Sequence, residues 1–185
     1  MKRAIIVHCW GGNPDYAWYP WLKKGLEAKG YTVAVPEMPD TEEPTLEKWL
    51  PVLKKAVDTP DEELLLIGHS LGCITIMRYL ESLKEGQKID KAILVAGFTD
   101  QLGYSELDSF FMKLIDFPKI KKRAKNGFAI IQSDNDPYVP MQYAERLKQE
   151  LDASLTVKHG AKHMSGPVDE EESCLELPEV LKAVA

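Results

Sequence analysis

Short runs of apolar and β-branched residues alternate along this chain with longer stretches whose apolar residues recur every three or four positions. Continuous apolar runs of this kind are typical of parallel strands that are covered on both faces. The strand candidates are residues 4–7, 31–35, 64–67, 92–96, 128–131 and 155–157, and the helix candidates are residues 17–28, 46–57, 73–83, 141–151 and 178–184. Because strands separated by helices form βαβ units, the pattern predicts an α/β fold with a mainly parallel sheet of about six strands and helices on both faces.

The length and charge of the chain limit its partners. The chain has 185 residues, and we expect a single domain spanning residues 1–185. Its 29 acidic and 23 basic residues give a net charge of −6, which repels phosphate backbones and anionic lipid heads. Nucleic acid is therefore not an expected partner. The sequence also contains no apolar segment long enough to span a membrane, so a membrane is not an expected partner either. Three cysteines without disulfide or metal-site spacing favour a cytoplasmic location.

The segment Gly68-His69-Ser70-Leu71-Gly72 follows the third predicted strand and precedes a predicted helix. In this context G-x-S-x-G is typical of a nucleophile elbow, a sharp turn that presents a serine hydroxyl above the sheet. Glycine two positions before and after the serine avoids a collision within that turn. We therefore predict that Ser70 is a nucleophile and that the amide of Leu71 donates to a developing oxyanion.

A serine hydroxyl needs a general base and a group that orients this base. In elbow-containing hydrolases the acid follows the serine in the chain and the histidine comes last. The turn-rich segment after the fifth predicted strand contains two candidates for the acid, Asp134 and Asp136. Either aspartate alone is also explained by turn formation, so both remain open at this point.

The base is one of four histidines. His69 lies inside the elbow, where its direction relative to Ser70 does not suit a base, and His8 at the end of the first strand has an expected structural role. His159 and His163 both follow the sixth predicted strand. We favour His163, because a base belongs on a loop beyond the end of that strand.

A second oxyanion donor is expected from the loop after the first strand, His8-Cys9-Trp10-Gly11-Gly12. The two glycines let the backbone approach a ligand closely, and the amide of Trp10 is the candidate donor. A tight strand-to-helix turn is the alternative explanation of the glycine pair.

Together these segments resemble those of the α/β-hydrolases, and among them the small serine hydrolases of the YdeN and retinoblastoma-binding-protein-nine group. The resemblance covers nearly the whole chain and rests on Val7-His8-Cys9-Trp10-Gly11-Gly12, Trp18-Tyr19-Pro20-Trp21-Leu22-Lys23-Lys24, the elbow, Ser133-Asp134-Asn135-Asp136-Pro137-Tyr138-Val139-Pro140 and His163. It implies that the acid is Asp136, immediately before proline, and that the base is His163. It also implies a minimal α/β-hydrolase fold.

The expected activity is hydrolysis of a small ester, thioester or amide by two-step acyl transfer, as in a carboxylesterase or a small amidase. No metal or organic cofactor is expected for this chemistry. The alternative is a non-catalytic binding or regulatory protein on an α/β-hydrolase scaffold, since a fold does not determine a function.

About thirty residues separate the fourth and fifth predicted strands, where hydrolases of this fold usually insert a lid. This length leaves no room for a large cap domain, so we expect an open or shallow substrate pocket. The candidates to line it are aromatic: Trp10, Trp18, Tyr104, Phe110, Phe111 and Tyr138. Aromatic residues at helical spacing, such as Phe110 and Phe111, are alternatively explained as core.

Overall fold

Six parallel strands form one sheet in the computed structural model, which describes residues 1–184. The strands are β1 (Arg3–Val7), β2 (Thr32–Ala34), β3 (Leu64–His69), β4 (Lys91–Val95), β5 (Phe128–Ser133) and β6 (Ser154–Lys158). The helices are α1 (Tyr19–Ala28), α2 (Leu46–Val57), α3 (Leu71–Ser82), α4 (Asp108–Phe111), α5 (Phe117–Lys121), α6 (Met141–Leu151) and α7 (Pro178–Ala183), with short 3-10 helices at Ser105–Leu107 and Pro167–Asp169. Every pair of consecutive strands is joined through at least one helix, so the predicted α/β fold is confirmed.

The strand order β2-β1-β3-β4-β5-β6 places β1 between the two strands that follow it in the chain. β1 pairs with β3 in parallel from Arg3 opposite Leu64 to Val7 opposite Gly68. Where a parallel sheet reverses its order, the loops after the two adjacent strands separate and open a crevice at their carboxyl ends. This crevice therefore lies between the loop after β1 and the turn that carries Ser70.

The sheet is covered on both faces, and alternate residues of each central strand pack against opposite layers. In β3, Leu64 and Leu66 belong to the core under α2 to α6, whereas Leu65 and Ile67 belong to the core under α1 and α7. Two faces buried in this way explain why the strands are continuously apolar in sequence.

The connection between β4 and β5 contains only the short helices α4 and α5 and one 3-10 turn. Arg78, buried on α3, fastens this connection by donating hydrogen bonds to the carbonyl oxygens of Phe110, Lys113 and Leu114. Arg78 also forms an ion pair of 2.8 Å with Glu81. Within residues 1–184 the fold carries no large cap domain, as expected. None of the helices described is both long and apolar enough to cross a membrane.

Candidate active site

Ser70 occupies a strained turn between β3 and α3. Its backbone has φ 52° and ψ −114°, a conformation that residues other than glycine rarely adopt. Helix α3 begins at the next residue. The amide of Ser70 donates a hydrogen bond of 2.8 Å to the carbonyl oxygen of Val95, which fixes the turn to β4. This strand-turn-helix geometry, at the carboxyl edge of the sheet, is the one predicted for a nucleophile elbow.

The two glycines of the elbow are required by close backbone approach. A Cβ atom on Gly68 would lie 2.7 Å from the backbone nitrogen of Cys73. A Cβ atom on Gly72 would lie 2.2 Å from the carbonyl oxygen of Val7, so α3 packs directly against the end of β1. Both distances are far shorter than van der Waals contact, and backbone atoms cannot move aside as a flexible side chain can.

Asp136 and His163 form a buried pair. His163 Nδ1 lies 2.8 Å from Asp136 Oδ2, and the two side chains are 4% and 0% exposed. Asp136 Oδ1 accepts hydrogen bonds from the amides of Tyr138 and Val139, both 2.9 Å. Burial alone raises the pKa of Asp136, but the bond and charge of His163 and the two amides outweigh it, so the pKa is lowered overall. The carboxylate is therefore ionised and oriented.

Gln132 is a part of this arrangement that the sequence analysis missed. Its Nε2 lies 3.2 Å from Asp136 Oδ2 and 2.9 Å from the carbonyl oxygen of Val139, and both oxygens accept from it. The signal in the sequence is a polar side chain next to the end of a buried strand. Such a residue is seldom buried without a hydrogen-bond partner.

His163 is held through its backbone as well as its ring. Its amide donates to Glu171 Oε1 at 2.9 Å, and its carbonyl oxygen lies 2.9 Å from Nε2 of His69. Burial lowers the pKa of His163, but the hydrogen bond and charge of Asp136, helped by Asp169 and Glu171, raise it above its usual value overall. Because Nδ1–H donates to Asp136, the neutral ring carries its free lone pair on Nε2, the atom that a general base uses.

The two other candidates, Asp134 and His159, pair with each other at the surface. His159 Nδ1 lies 2.6 Å from Asp134 Oδ2, and their side chains are 85% and 43% exposed. Asp134 also accepts the amide of Gly160. Neither residue lines the cavity that contains Ser70.

A cavity of about 340 Å³ opens beside Ser70. Its lining residues are Cys9, Trp10, Gly11, Glu42, Ser70, Leu71, Phe98, Leu102, Tyr104, Leu107, Tyr138, Val139, His163, Val168 and Asp169. Trp10, Tyr104 and Tyr138 thus line the cavity, and the rings of Trp10 and Tyr104 meet edge to face at 5.9 Å. Ser70 and His163 face the same cavity, although no hydrogen bond joins their side chains in the part of the chain described. Such bonds are often long in enzymes without bound substrate.

Trp18 and Phe110 do not line the cavity, so the prediction that they belong to the pocket is wrong. Both side chains are fully buried. Trp18 packs under α1 and donates from Nε1 to the carbonyl oxygen of Met164 at 3.0 Å. Phe110 packs against Trp49 with ring centroids 6.1 Å apart. Phe111, half-buried against Phe98, is likewise absent from the lining. Residue type predicted large apolar side chains but not the depth at which each one packs.

The two candidate oxyanion donors, Leu71 and Trp10, belong to residues that line the cavity. Leu71 is the first residue of α3, so its amide has no acceptor within the helix. Among residues 1–184 no acceptor is bonded to the amide of Trp10. His8 fixes the loop before Trp10, because its ring bridges the carbonyl oxygen of Cys9 and the amide of Met38.

Cys9 also lines the cavity, but its thiol is not a candidate nucleophile. Burial is the largest effect on its thiol and raises the pKa of Cys9 to about 12. The thiol is therefore protonated at neutral pH, whereas the thiolate is the reactive form of cysteine.

The chain is similar in sequence and in fold to proteins that are already known. The sequence model described as serine hydrolase matches residues 4–184. YdeN of Bacillus subtilis (strain 168) is 38% identical over 161 residues, which cover 86% of this chain and 84% of YdeN. Serine hydrolase RBBP9 of Rattus norvegicus is 32% identical over 160 residues, which cover 83% of this chain and 82% of RBBP9. The crystal structure of the ydeN gene product from B. subtilis superimposes with a TM-score of 0.91 at 34% identity, covering 100% of this chain and 97% of that one.

Proposed function

Because the chain belongs to the serine hydrolase family, we propose that it hydrolyses a small ester, thioester or amide with Ser70 as nucleophile, His163 as base and Asp136 as the orienting acid. The observation that carries this proposal is the buried Asp136–His163 pair, whose histidine shares a cavity with a serine in a strained elbow. Strain of this kind persists where the surrounding structure holds a residue for function.

In the first step, Nε2 of His163 takes the proton of the Ser70 hydroxyl while Oγ attacks the carbonyl carbon of the substrate. The carbonyl oxygen becomes an oxyanion, which accepts hydrogen bonds from the amides of Leu71 and Trp10. The position of Leu71 at the start of α3 adds the positive end of the helix dipole to this stabilisation.

Collapse of the tetrahedral intermediate breaks the bond to the leaving group, which receives its proton from the imidazolium of His163. An acyl-Ser70 ester remains. Water then attacks this ester, with His163 again as the base, and releases the acid and the free serine. Throughout both steps the ionised Asp136 keeps Nδ1–H of His163 in place and stabilises the imidazolium.

The cavity favours a carboxylesterase-like activity on small acyl groups. Its volume of about 340 Å³ lies near the lower end of the range for small-molecule sites. Phe98, Leu102, Leu107 and Val139 give part of its wall an apolar surface. A short apolar acyl chain gains from burial on such a surface and places no unpaired polar group there.

Labelling with a fluorophosphonate probe tests the proposal, because the probe phosphonylates only a serine that a base has activated. We expect stoichiometric labelling at Ser70, with no labelling of Ser70→Ala. Ser82→Ala is the matched control, since Ser82 lies at the end of α3 and bonds to the carbonyl oxygen of Tyr79. It should be labelled at the wild-type rate. Absence of labelling in the folded wild-type protein would reject the enzyme and favour a binding or regulatory protein.

A further inference from the structure

Trp18 and Tyr19, consecutive residues at the start of α1, are both linked by hydrogen bonds to the backbone around His163. Trp18 bonds directly to the carbonyl oxygen of Met164, and Tyr19 is linked to that of His163 through His69. The Tyr19 hydroxyl lies 3.1 Å from the amide of Cys9 and 2.7 Å from Nδ1 of His69. Nε2 of His69 in turn lies 2.9 Å from the carbonyl oxygen of His163. These contacts form one chain of hydrogen bonds from the loop after β1, through the elbow, to the residue proposed as base.

The direction of every bond in this chain is determined. A carbonyl oxygen only accepts, so Nε2 of His69 carries the proton and donates to His163. Nδ1 of the neutral ring must then accept, and Tyr19 donates to it while accepting the amide of Cys9. Burial, assisted by the nearby His163, lowers the pKa of His69 to about 3, so the ring is neutral at neutral pH.

The residues around His163, which we term the base loop (residues 161–165), have an unusual backbone. Lys162 and Met164, on either side of His163, have φ values of 49° and 55°. Residues other than glycine seldom adopt the left-handed region, and surrounding contacts must maintain it. Two such contacts reach consecutive carbonyl groups: His69 donates to that of His163, and Trp18 Nε1 donates to that of Met164 at 3.0 Å.

We propose that Tyr19, His69 and Trp18 are positioning residues that hold the base loop in its left-handed conformation, so that the ring of His163 faces Ser70 and stays bonded to Asp136. The inference rests on the proposed function, because it assigns to these residues the placement of its base. It also gives a role to the Trp18-Tyr19 dipeptide and to the histidine inside the elbow, which the triad itself does not use.

The rate should be sensitive to this arrangement. His69 is bonded covalently to Ser70 and by hydrogen bond to His163, so its ring sets the spacing between nucleophile and base. Displacement of a reacting group by about 1 Å can reduce a rate by about 10²-fold. Loss of one of these hydrogen bonds should therefore lower kcat. The contacts of the substrate in the cavity should stay nearly unchanged, and so should KM.

Tyr19→Phe removes only the hydroxyl. We expect kcat for an activated ester, and the rate of fluorophosphonate labelling, to fall about 10- to 100-fold, with KM changed less than about threefold. Tyr31→Phe is the matched control, because Tyr31 is buried in the same core cluster and lacks a role in this chain of bonds. It should retain the wild-type kcat. Equal kcat values in both variants would overturn the proposal.

Two further positions test the same idea if Tyr19→Phe fails to fold. His69→Gln preserves an amide donor for His163 and an acceptor for Tyr19, whereas His69→Leu preserves neither. We expect kcat of the His69→Gln variant to be several times that of the His69→Leu variant, with a comparable Tm for the two proteins. Trp18→Phe, which removes the donor to Met164, should lower kcat in the same direction. Variants that fold and keep the wild-type kcat at all three positions would contradict a positioning role.

Hydrogen exchange provides a readout that is independent of activity. The amide of Met164 donates within the base loop to the carbonyl oxygen of Ala161 at 3.0 Å. In Tyr19→Phe and Trp18→Phe this amide should exchange faster, while amides of β3 and β4 keep their protection. Unchanged exchange in the base loop would overturn the inference. Absence of labelling in the wild-type protein, by contrast, would reject the proposed function. The exchange result would still show whether Tyr19 and Trp18 hold the base loop in its conformation.

Discussion

Nδ1 of His163 lies 2.8 Å from Oδ2 of Asp136 with both side chains almost completely buried. The neighbouring pair, His159 and Asp134, is equally close at 2.6 Å but is exposed to solvent. Distance therefore does not separate the two pairs, whereas their surroundings do. Water screens the exposed pair and leaves it free to exchange partners, while the buried pair interacts strongly in one fixed orientation.

Replacing the two aspartates should have very different effects. Asp136→Asn keeps the shape of the side chain but removes the charge that holds the tautomer of His163, so kcat should fall by about 10⁴-fold. Asp134→Asn weakens a surface pair and keeps an oxygen that can accept the amide of Gly160, so kcat should stay within about twofold of the wild type. Hydrolysis of 4-nitrophenyl acetate measures both. A larger loss in Asp134→Asn than in Asp136→Asn would show that Asp134, and not Asp136, is the orienting acid.

The pH dependence should report the charge around His163. The base acts in its neutral form, so activity falls as the pH is lowered through the pKa of His163. Because Asp136, Asp169 and Glu171 raise this pKa against the effect of burial, the inflection of kcat/KM should lie above pH 6.5. Glu171→Gln retains an acceptor for the His163 amide but loses the charge, so the inflection should move to lower pH. His159→Ala, at the surface, should leave it unmoved.

The elbow could be predicted from sequence because its constraints recur wherever a strand, a sharp turn and a helix are joined in this way. Gly68 and Gly72 are fixed by contacts with their own turn and with the end of β1, which any chain folded in this way must make. The sequence nevertheless predicts that this helix begins at residue 73, whereas α3 begins at Leu71, since no residue type marks a helix that begins directly after a strained serine.

The choice between the two aspartates, and the depth at which Trp18 and Phe110 pack, depend on information that the sequence does not contain. Asp134 and Asp136 both follow β5, and only the direction of each side chain separates a surface pair from a buried one. Trp18 and Phe110 were assigned to the pocket by type, but each packs in the core. The bonds of Gln132 and Tyr19 join segments far apart in the chain, and no local pattern predicts them.

Gly72→Ala should prevent the packing of α3 on β1. Alanine normally favours a helix over glycine by about 0.5–1 kcal/mol, but here the new Cβ atom would lie 2.2 Å from the carbonyl oxygen of Val7. We expect the free energy of unfolding in urea to fall by about 3 kcal/mol or more. Gly30→Ala is the control, since its site is open and only its φ of 84° opposes the change. That variant should lose about 1–2 kcal/mol. Similar losses in both would contradict the steric argument.

The cavity should discriminate against anionic substrates. Glu42 and Asp169 line it, and among the lining residues that the structure describes there is no lysine or arginine. The pKa of Tyr138, also in the lining, is raised first by burial and then by the charges of Asp169, Glu171 and Glu170. A carboxylate on the acyl chain therefore meets negative potential from several sides.

A pair of esters of similar length measures this discrimination. We expect kcat/KM for mono-4-nitrophenyl succinate to be about tenfold lower than for 4-nitrophenyl butyrate, as a repulsion of about 1–2 kcal/mol implies. Salt should narrow the gap, because it screens exposed charges. Glu42→Gln should raise kcat/KM for the anionic ester alone. Glu62→Gln is the control, because it removes the same charge beside Lys125, before the start of β3 at the opposite edge of the sheet, and should leave the ratio unchanged. Equal rates for the two esters in the wild-type protein, or a gap that salt does not alter, would show that the carboxylates do not select the substrate.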